Sequence, residues 1–334
     1  MLKSTKGQFG HVIEESLFEY PINSDAKPDF EELGIELKVT PVKMNKNKSI
    51  SAKERLVLNI IDYMKEPLLS FETSSFWTKN QKILMMFYLW LPELERKDYK
   101  VIKSILYTYP EKDLEIIKDD WEKIVLKIKE GRAHELSEGD TLYLGACTKG
   151  ADSRSLRNQP FSEIRAKQRA FSLKQSYMTA IERKFISGEE FESITTADEL
   201  KSKTLEQILD DKFEPFMGKS LEEIAETLGM TINPANKSEV PRIVKRILGI
   251  KGKGTKLDKI DEFSKANIEF KTIRLEPDGL PMQSMSFEHV DFNSWLNEEW
   301  EDSVLYKRFS EIKFLFAIFE YKEPYKKGLD RVLY

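Results

Sequence analysis

Asp29, Glu36 and Lys38 stand in the pattern D-x6-E-x-K within "KPDFEELGIELKVTPVK". Two carboxylates followed by an amine suit metal-assisted cleavage of a phosphodiester. Carboxylates hold a divalent cation against the phosphate, a positioned water attacks in line, and a further cation offsets the charge that develops. Asp29 on one strand and Glu36 on the next can face each other across a hairpin. Lys38, two residues after Glu36, projects to the same face of an extended chain and can reach the water. Glu14, on a helix upstream, would complete the acidic cluster. The bare pattern carries little weight. With 57 acidic and 53 basic residues in 334, such a match arises about once or twice by chance, and a solvated, charged hairpin is the competing reading.

The elements that must position these residues can be read from periodicity. "GQFGHVIEESLFEY" has apolar residues at Val12, Ile13, Leu17 and Phe18, a helical spacing. "PINSDAKPD" is a loop. "IELKVTPV" alternates as a half-buried strand, with Glu36, Lys38 and Thr40 on one face and Ile35, Leu37 and Val39 on the other. Gly34 suits a turn from an earlier strand carrying Asp29 and Phe30. "KERLVLNIIDYM" fits strand or helix. "KILMMFYLWLP" reads as a buried central strand stopped by Pro92. Residues 111–131 form a surface helix with Leu114, Ile117, Trp121, Ile124 and Leu126 among charges. "DTLYLGACT" is a strand and "SLKQSYMTAIERKF" a helix. Residues 191–215, polar and acidic, read as a linker. Ser220 and Glu223 then mark a helix start.

Composition bounds the remaining possibilities. The chain has 334 residues, which suits two domains, and 40% are hydrophobic, enough for sizeable cores. The net charge is −4, so any nucleic-acid surface must be local. A single cysteine, Cys147, excludes a disulfide framework and fits a reducing compartment. With three scattered histidines, a structural zinc site is not expected. The longest apolar run, Ile83 to Leu91, is too short to span a bilayer. These features point to a soluble cytoplasmic protein.

An internal repeat gives the opening motif its weight. "DFEELGIELKVT" (29–40) lies over "EFSKANIEFKTI" (262–273) at an offset of 233. "KGQFGHVIEESL" (6–17) lies over "KSEVPRIVKRIL" (237–248), and "QKILMMFYLW" (81–90) over "IKFLFAIFEY" (312–321), both at 231. Three segments in one order at nearly one offset indicate two copies of a module. The second copy keeps Glu269, Lys271 and Lys313, but Asp29 becomes Glu262 and Glu14 becomes Lys245. A longer acid misplaces the ligand oxygen and an ammonium repels a divalent cation, so the second copy reads as a fold retained without catalysis.

The same three segments of the first copy resemble the core of the MutH-like endonucleases, a branch of the PD-(D/E)xK nucleases. That family's pattern is K-G-x-x-G-x-x-x-E, then D-x6-(V/I)-E-L-K, then a lysine leading into a buried strand. Carried over by position, Glu14, Asp29, Glu36, Lys38 and Lys82 match its active-site residues, with Asp29 and Glu36 as metal ligands. "LYLGACTKGADSRSL" resembles the family's DNA-entering strand and loop, and "RAFSLKQSYMT" its R-(A/G)-F-x-L-K segment. The resemblance places Lys149, Arg154, Arg169, Lys174 and Tyr177 near DNA, with Arg157 on the same loop.

The tandem arrangement is similar to that of type II restriction enzymes that cut at GATC and pair an active MutH-like domain with a degenerate, DNA-binding one. The resemblance implies a mixed α/β fold of two tandem restriction-endonuclease-like domains, each a central mixed β-sheet flanked by helices. The catalytic domain covers 1–190, residues 191–215 link, and a degenerate, incomplete domain covers 216–334. It implies Mg²⁺, with Mn²⁺ as substitute, and double-stranded DNA as partner. It also implies self-association on DNA and a cognate DNA methyltransferase as a functional partner. The rival expectations are a mismatch-repair nickase at hemimethylated GATC and a non-catalytic DNA-binding protein. The first copy lacks the element before its K-G motif and the second lacks a long tail, so a fragment of a longer tandem protein, or a permuted or reduced homologue, is a further expectation.

Overall fold

The computed structural model describes residues 8–19, 27–95, 98–150, 154–233, 239–250, 257–287, 292–296, 300, 303–321 and 331–333. Lys6, Gly7 and Ser153, quoted above for the family pattern, lie outside these residues. The chain forms two compact units, Met1–Glu190 and Phe191–Tyr334.

In the first unit the order is α1 (Gln8–Leu17), β1 (Glu36–Met44), β2 (Ile50–Ala52), β3 (Leu56–Ile60), α2 (Ser75–Asn80), β4 (Lys82–Leu89), β5 (Val101–Thr108) and α3 (Glu111–Lys129). Then come β6 (Leu144–Thr148), β7 (Leu156–Gln159), β8 (Ser162–Lys167), β9 (Arg169–Leu173) and α4 (Gln175–Ser187). One sheet runs β2-β1-β4-β5, a second β3-β9-β6, and β7–β8 form a two-stranded ribbon. β1 and β4 are parallel, with Glu36 beside Ile83 and Lys38 beside Met85. The other pairs in these sheets are antiparallel. "KERLVLNIIDYM" therefore resolves as a strand at Leu56–Ile60.

β1 was expected to be half-buried, but it is covered on both faces. Glu36, Leu37 and Thr40 are all nearly inaccessible. A parallel strand inside a sheet carries helices on both sides, which removes the solvent face. Phe76 of α2 lies 5.8 Å from Phe171 of β9, ring centre to ring centre, and joins the second sheet to the helix beside the first. α3 buries Ile116, Ile117, Trp121, Ile124, Val125 and Ile128 at helical spacing and leaves Leu126 exposed. Each such apolar side chain contributes about 1.5–3 kcal/mol on burial. α4 lies on β2, where Thr179 Oγ1 accepts from the Ala52 amide at 3.1 Å and Gln175 Nε2 donates to the Ala52 carbonyl at 2.8 Å.

The second unit contains α5 (Ala197–Leu200), α6 (Leu205–Phe213), α7 (Leu221–Thr227), α8 (Glu239–Ile247), α9 (Asp261–Ala266) and β10 (Ile268–Leu275). It continues with the single turn α10 (Phe292–Trp295), then α11 (Val304–Glu311), β11 (Lys313–Tyr321) and β12 (Arg331–Leu333). Its sheet runs β10-β11-β12. Residues 191–215 do not form the free linker expected from their polarity. Leu205, Ile208 and Leu209 of α6 are buried, and Glu192 exchanges backbone hydrogen bonds with Lys259 and Asp261. Their charges occupy the outer face of short capped helices whose inner face packs. The Ser220 cap is present: its Oγ accepts from Glu223 N at 3.1 Å, and Glu223 Oε2 accepts from Ser220 N at 2.6 Å.

The repeat is repeated in geometry. β10 and β11 are parallel, and Glu269 lies beside Phe314 as Glu36 lies beside Ile83. Gly34 (φ 63, ψ 34) and Asn267 (φ 56, ψ 45) both take the left-handed conformation just before their strands. Glycine adopts that region freely and asparagine at modest cost, which accounts for the exchange.

Candidate active site

Asp29 does not lie on a strand, as the hairpin expectation required. It precedes a single antiparallel bridge between Phe30 and Ile35, closed by one tight turn at Glu31–Leu33 and by Gly34. The turn is too short for a strand, yet it returns the chain so that Asp29 meets Glu36. The Asp29 amide donates to Glu36 Oε2 at 3.2 Å, and the Leu37 amide donates to Asp29 Oδ2 at 2.9 Å. These two crossed bonds fix both carboxylates at the start of β1.

Lys38 projects to the face of Glu36, as alternation requires, and its Nζ donates to Glu36 Oε1 at 2.5 Å. A second ammonium, Lys79 in the last turn of α2, stands 3.7 Å from the same oxygen. The sequence reading assigned the later lysine to Lys82. Lys82 begins β4 one residue before Ile83, the register partner of Glu36, so pleating turns it to the opposite face. The structure brings Lys79 to the cluster instead. The signal that would have found it is a lysine one helical turn before a strand that pairs with β1.

Glu14 is half-buried on α1. A β-carbon on Gly10 would lie 4.0 Å from Val39 Cβ, which seats α1 against β1. Phe18, just beyond the helix, meets Phe30 edge to face at 5.2 Å. Glu14 precedes Phe18 by four residues and so shares the side of the helix that faces the Asp29–Phe30 stretch.

Burial raises the Glu36 carboxyl above its usual range; Lys38 opposes this, the nearby Asp29 adds to it, and Lys79 opposes it least. Two acids held together in a desolvated place are relieved by a multivalent cation. No group of three or more potential ligands of the His, Cys, Asp and Glu types is gathered among the described residues. Asp29 and Glu36 therefore supply two carboxylates, the number with which Mg²⁺ is commonly held when substrate phosphate and water complete its shell.

The residues expected near DNA divide into two groups. Lys149, Arg154 and Arg157 are exposed, at the end of β6 and around the start of β7. Lys174 and Tyr177 are buried, which corrects the expectation for them, and half-buried Arg169 is bonded to backbone carbonyls. The Arg169 guanidinium donates to the Ala146 carbonyl at 2.5 Å and to the Leu136 carbonyl. Lys174, 5% exposed, donates to the Glu138 carbonyl at 2.6 Å and to the Thr141 carbonyl. Asp120 completes that knot by accepting from the amides of Leu142, Tyr143 and Leu144 at 2.6–2.8 Å. Burial pushes the Asp120 carboxyl up to about 6, against the opposing pull of Lys174. Tyr177 is fully buried, with its hydroxyl 2.7 Å from that of Tyr107 and donating to Asp113 Oδ2 at 2.9 Å. These side chains fix the loop and helix that flank β6 and β9.

In the second unit the equivalent place is differently filled. Glu262, the counterpart of Asp29, is fully buried and accepts from Ser193 Oγ at 2.6 Å and the Ile194 amide at 3.1 Å. Glu269 is held instead by Arg308 of α11, whose Nη2 reaches its two oxygens at 3.0 and 3.1 Å, and by Lys271 at 3.5 Å.

The first unit thus joins two crossed carboxylates and a lysine pair at the head of a parallel strand pair, the arrangement expected of a metal-assisted nuclease core. The family described as "MutH: DNA mismatch repair enzyme MutH" matches residues 18–120. The chain is 43% identical over 340 residues to the type II restriction enzyme Sau3AI of Staphylococcus aureus, covering 98% of this chain and 69% of that protein. It is 35% identical over 160 residues to the DNA mismatch repair protein MutH of Shewanella woodyi, covering 46% of this chain and 65% of that protein. The chain belongs to the MutH-like family of type II restriction endonucleases.

Proposed function

We propose that the protein is a type II restriction endonuclease that hydrolyses double-stranded DNA at GATC, with Mg²⁺ held in the first unit by Asp29 and Glu36. The observation that carries this reading is the crossed pair Asp29–Glu36 with Lys38 on the same carboxylate. A divalent cation bound there supplies charge neutralisation at the phosphate under attack. Lys38 orients and polarises the attacking water, and Lys79 offsets charge at the non-bridging oxygens. Glu14 supports the acidic cluster. Lys149 and Arg154, with Arg157, meet the DNA from the exposed loop, where arginine and lysine are suited to guanine edges and phosphates.

Restriction is preferred over mismatch-repair nicking because the likeness to the restriction enzyme runs through both units, whereas that to the repair protein covers 46% of the chain. The test is cleavage of a plasmid of known sequence with Mg²⁺, followed by sequencing of the ends. Asp29→Ala is expected to abolish cutting, and Lys79→Gln to slow it more than Lys82→Gln. Undiminished Mg²⁺-dependent cutting by Asp29→Ala would refute the assignment. Nicks confined to one strand of hemimethylated GATC would shift it to the repair class.

A further inference from the structure

Lys79 reaches the carboxylates from the end of α2, a helix of six residues. A helix that short is not stable on its own, so its placement depends on what anchors it. Asn59 anchors it at both ends. Its Nδ2 donates to Oγ of Ser75, the first residue of α2, at 3.0 Å. Asn80, the last residue and the neighbour of Lys79, is fully buried and donates through Nδ2 to Asn59 Oδ1 at 2.9 Å. The Ser75 hydroxyl donates in turn to Glu66 Oε2, and Glu66 Oε1 accepts from Trp121 Nε1 of α3 at 2.9 Å. An irregularity in β3 makes this reach available. The pairing of β3 with β9 shifts register between Val57 and Ile60, and a bulge re-aims the side chain it carries.

We infer that Asn59 is a positioning residue for cleavage: by holding α2 at both ends it sets where the Lys79 ammonium stands relative to Glu36. Lys79 Nζ lies 3.7 Å from Glu36 Oε1, and its side chain is 12% exposed. An ammonium on a flexible stem goes where its backbone is held, and a misplacement of about 1 Å can slow a reaction about a hundredfold. Ser74 caps the start of α2, its Oγ accepting from the Trp77 amide at 3.0 Å, but that cap does not fix the end that bears Lys79. β3 and β6 both pair with β9, and β6 runs out into the exposed Lys149 loop. The sheet that bears that loop therefore also braces the helix of Lys79. The inference rests on the nuclease reading and on the role given there to Lys79.

The test measures, on the full chain, single-turnover cleavage of a GATC duplex with Mg²⁺ and binding of the same duplex without metal. Asn59→Leu keeps the size of the side chain and removes both bonds. It is expected to slow the cleavage step about ten- to a hundredfold and to leave DNA binding at the parental level. A double-mutant cycle with Lys79→Gln separates positioning from a general loosening of the fold. If Asn59 acts through Lys79, Asn59→Leu adds no further loss in the Lys79→Gln background. Ser75→Ala removes one anchor and keeps the buried Asn80 pair, so it should slow cleavage about fivefold with the same non-additivity. Thermal unfolding shows which variants are folded, and Ser75→Ala decides the matter where Asn59→Leu is not. Parental rates in these variants overturn the inference, and so does a loss that multiplies in full on that of Lys79→Gln or that weaker DNA binding accounts for. Failure of the nuclease reading is seen separately, as intact DNA after incubation of the unmodified protein with Mg²⁺, and failure of the role of Lys79 as a parental rate in Lys79→Gln.

Discussion

Glu182 offers a test of how the first unit is held together. It lies on α4 with no measurable exposure, and among the described residues neither carboxylate oxygen has a hydrogen-bond partner. Burial pushes its carboxyl from 4.5 up to about 8. The folded state therefore binds this proton more tightly than the unfolded chain does. The stability that Glu182 contributes is fully present below pH 4.5 and is lost as pH rises toward about 8. At about 1.4 kcal/mol per unit, passing from pH 4.5 to pH 7 removes on the order of 3 kcal/mol. Glu182→Met fills nearly the same volume and carries no charge. At pH 4.5 it should differ little from the parent, while at pH 8 it should be more stable. At roughly 2–4 °C per kcal/mol for a unit of this size, the gap in Tm should widen by several degrees between those limits. Thermal unfolding followed by far-ultraviolet circular dichroism at half-unit pH steps measures it. A gap that stays constant or narrows as pH rises would show that Glu182 is not a buried, unpaired acid.

Two further outcomes follow from the packing. Gly131 has φ +72, and a β-carbon there would lie 2.9 Å from the Phe161 carbonyl oxygen at the tip of the β7–β8 ribbon. Gly131→Ala should therefore destabilise the first unit by about 1–3 kcal/mol, measured by denaturant unfolding, whereas a neutral result would mean that the ribbon tip is not seated on α3. Tyr177→Phe removes the hydroxyl that joins Tyr107 and Asp113. It should cost about 1–2 kcal/mol of stability and leave the salt slope of DNA binding unchanged, and a reduced slope would return Tyr177 to the DNA surface.

Legibility differed from residue to residue for physical reasons. Glu36 and Lys38 were legible because alternation along a strand fixes which side chains share a face. Asp29 was found by its spacing, but its setting was misread. A one-turn return closed by Gly34 leaves no periodic signal, so a bridge was taken for a strand. Lys79 was missed and Lys82 chosen because the two lie three residues apart, and only the β1–β4 register decides which one faces Glu36. Arg169, Lys174 and Tyr177 were placed near DNA by the resemblance of their segment to the family's. The apolar spacing of Tyr177, Ala180 and Ile181 on α4 was the available evidence that Tyr177 belongs to the core. The segment 191–215 looked like a linker because short capped helices carry many charges for few buried residues.

The sequence by itself determined that three segments recur in one order, and that only the first set carries an aspartate at the position of Asp29. Repetition and residue identity survive translation into any conformation. What each surviving charge does was decided by tertiary structure, because a charged side chain acts through neighbours that are distant along the chain. Glu36 and Glu269 occupy the same position in the same register. One is crossed with Asp29 beneath two lysines, and the other is gripped by Arg308 from a helix that begins 35 residues later. That difference in neighbours separates a carboxylate paired with an aspartate from one paired with an arginine.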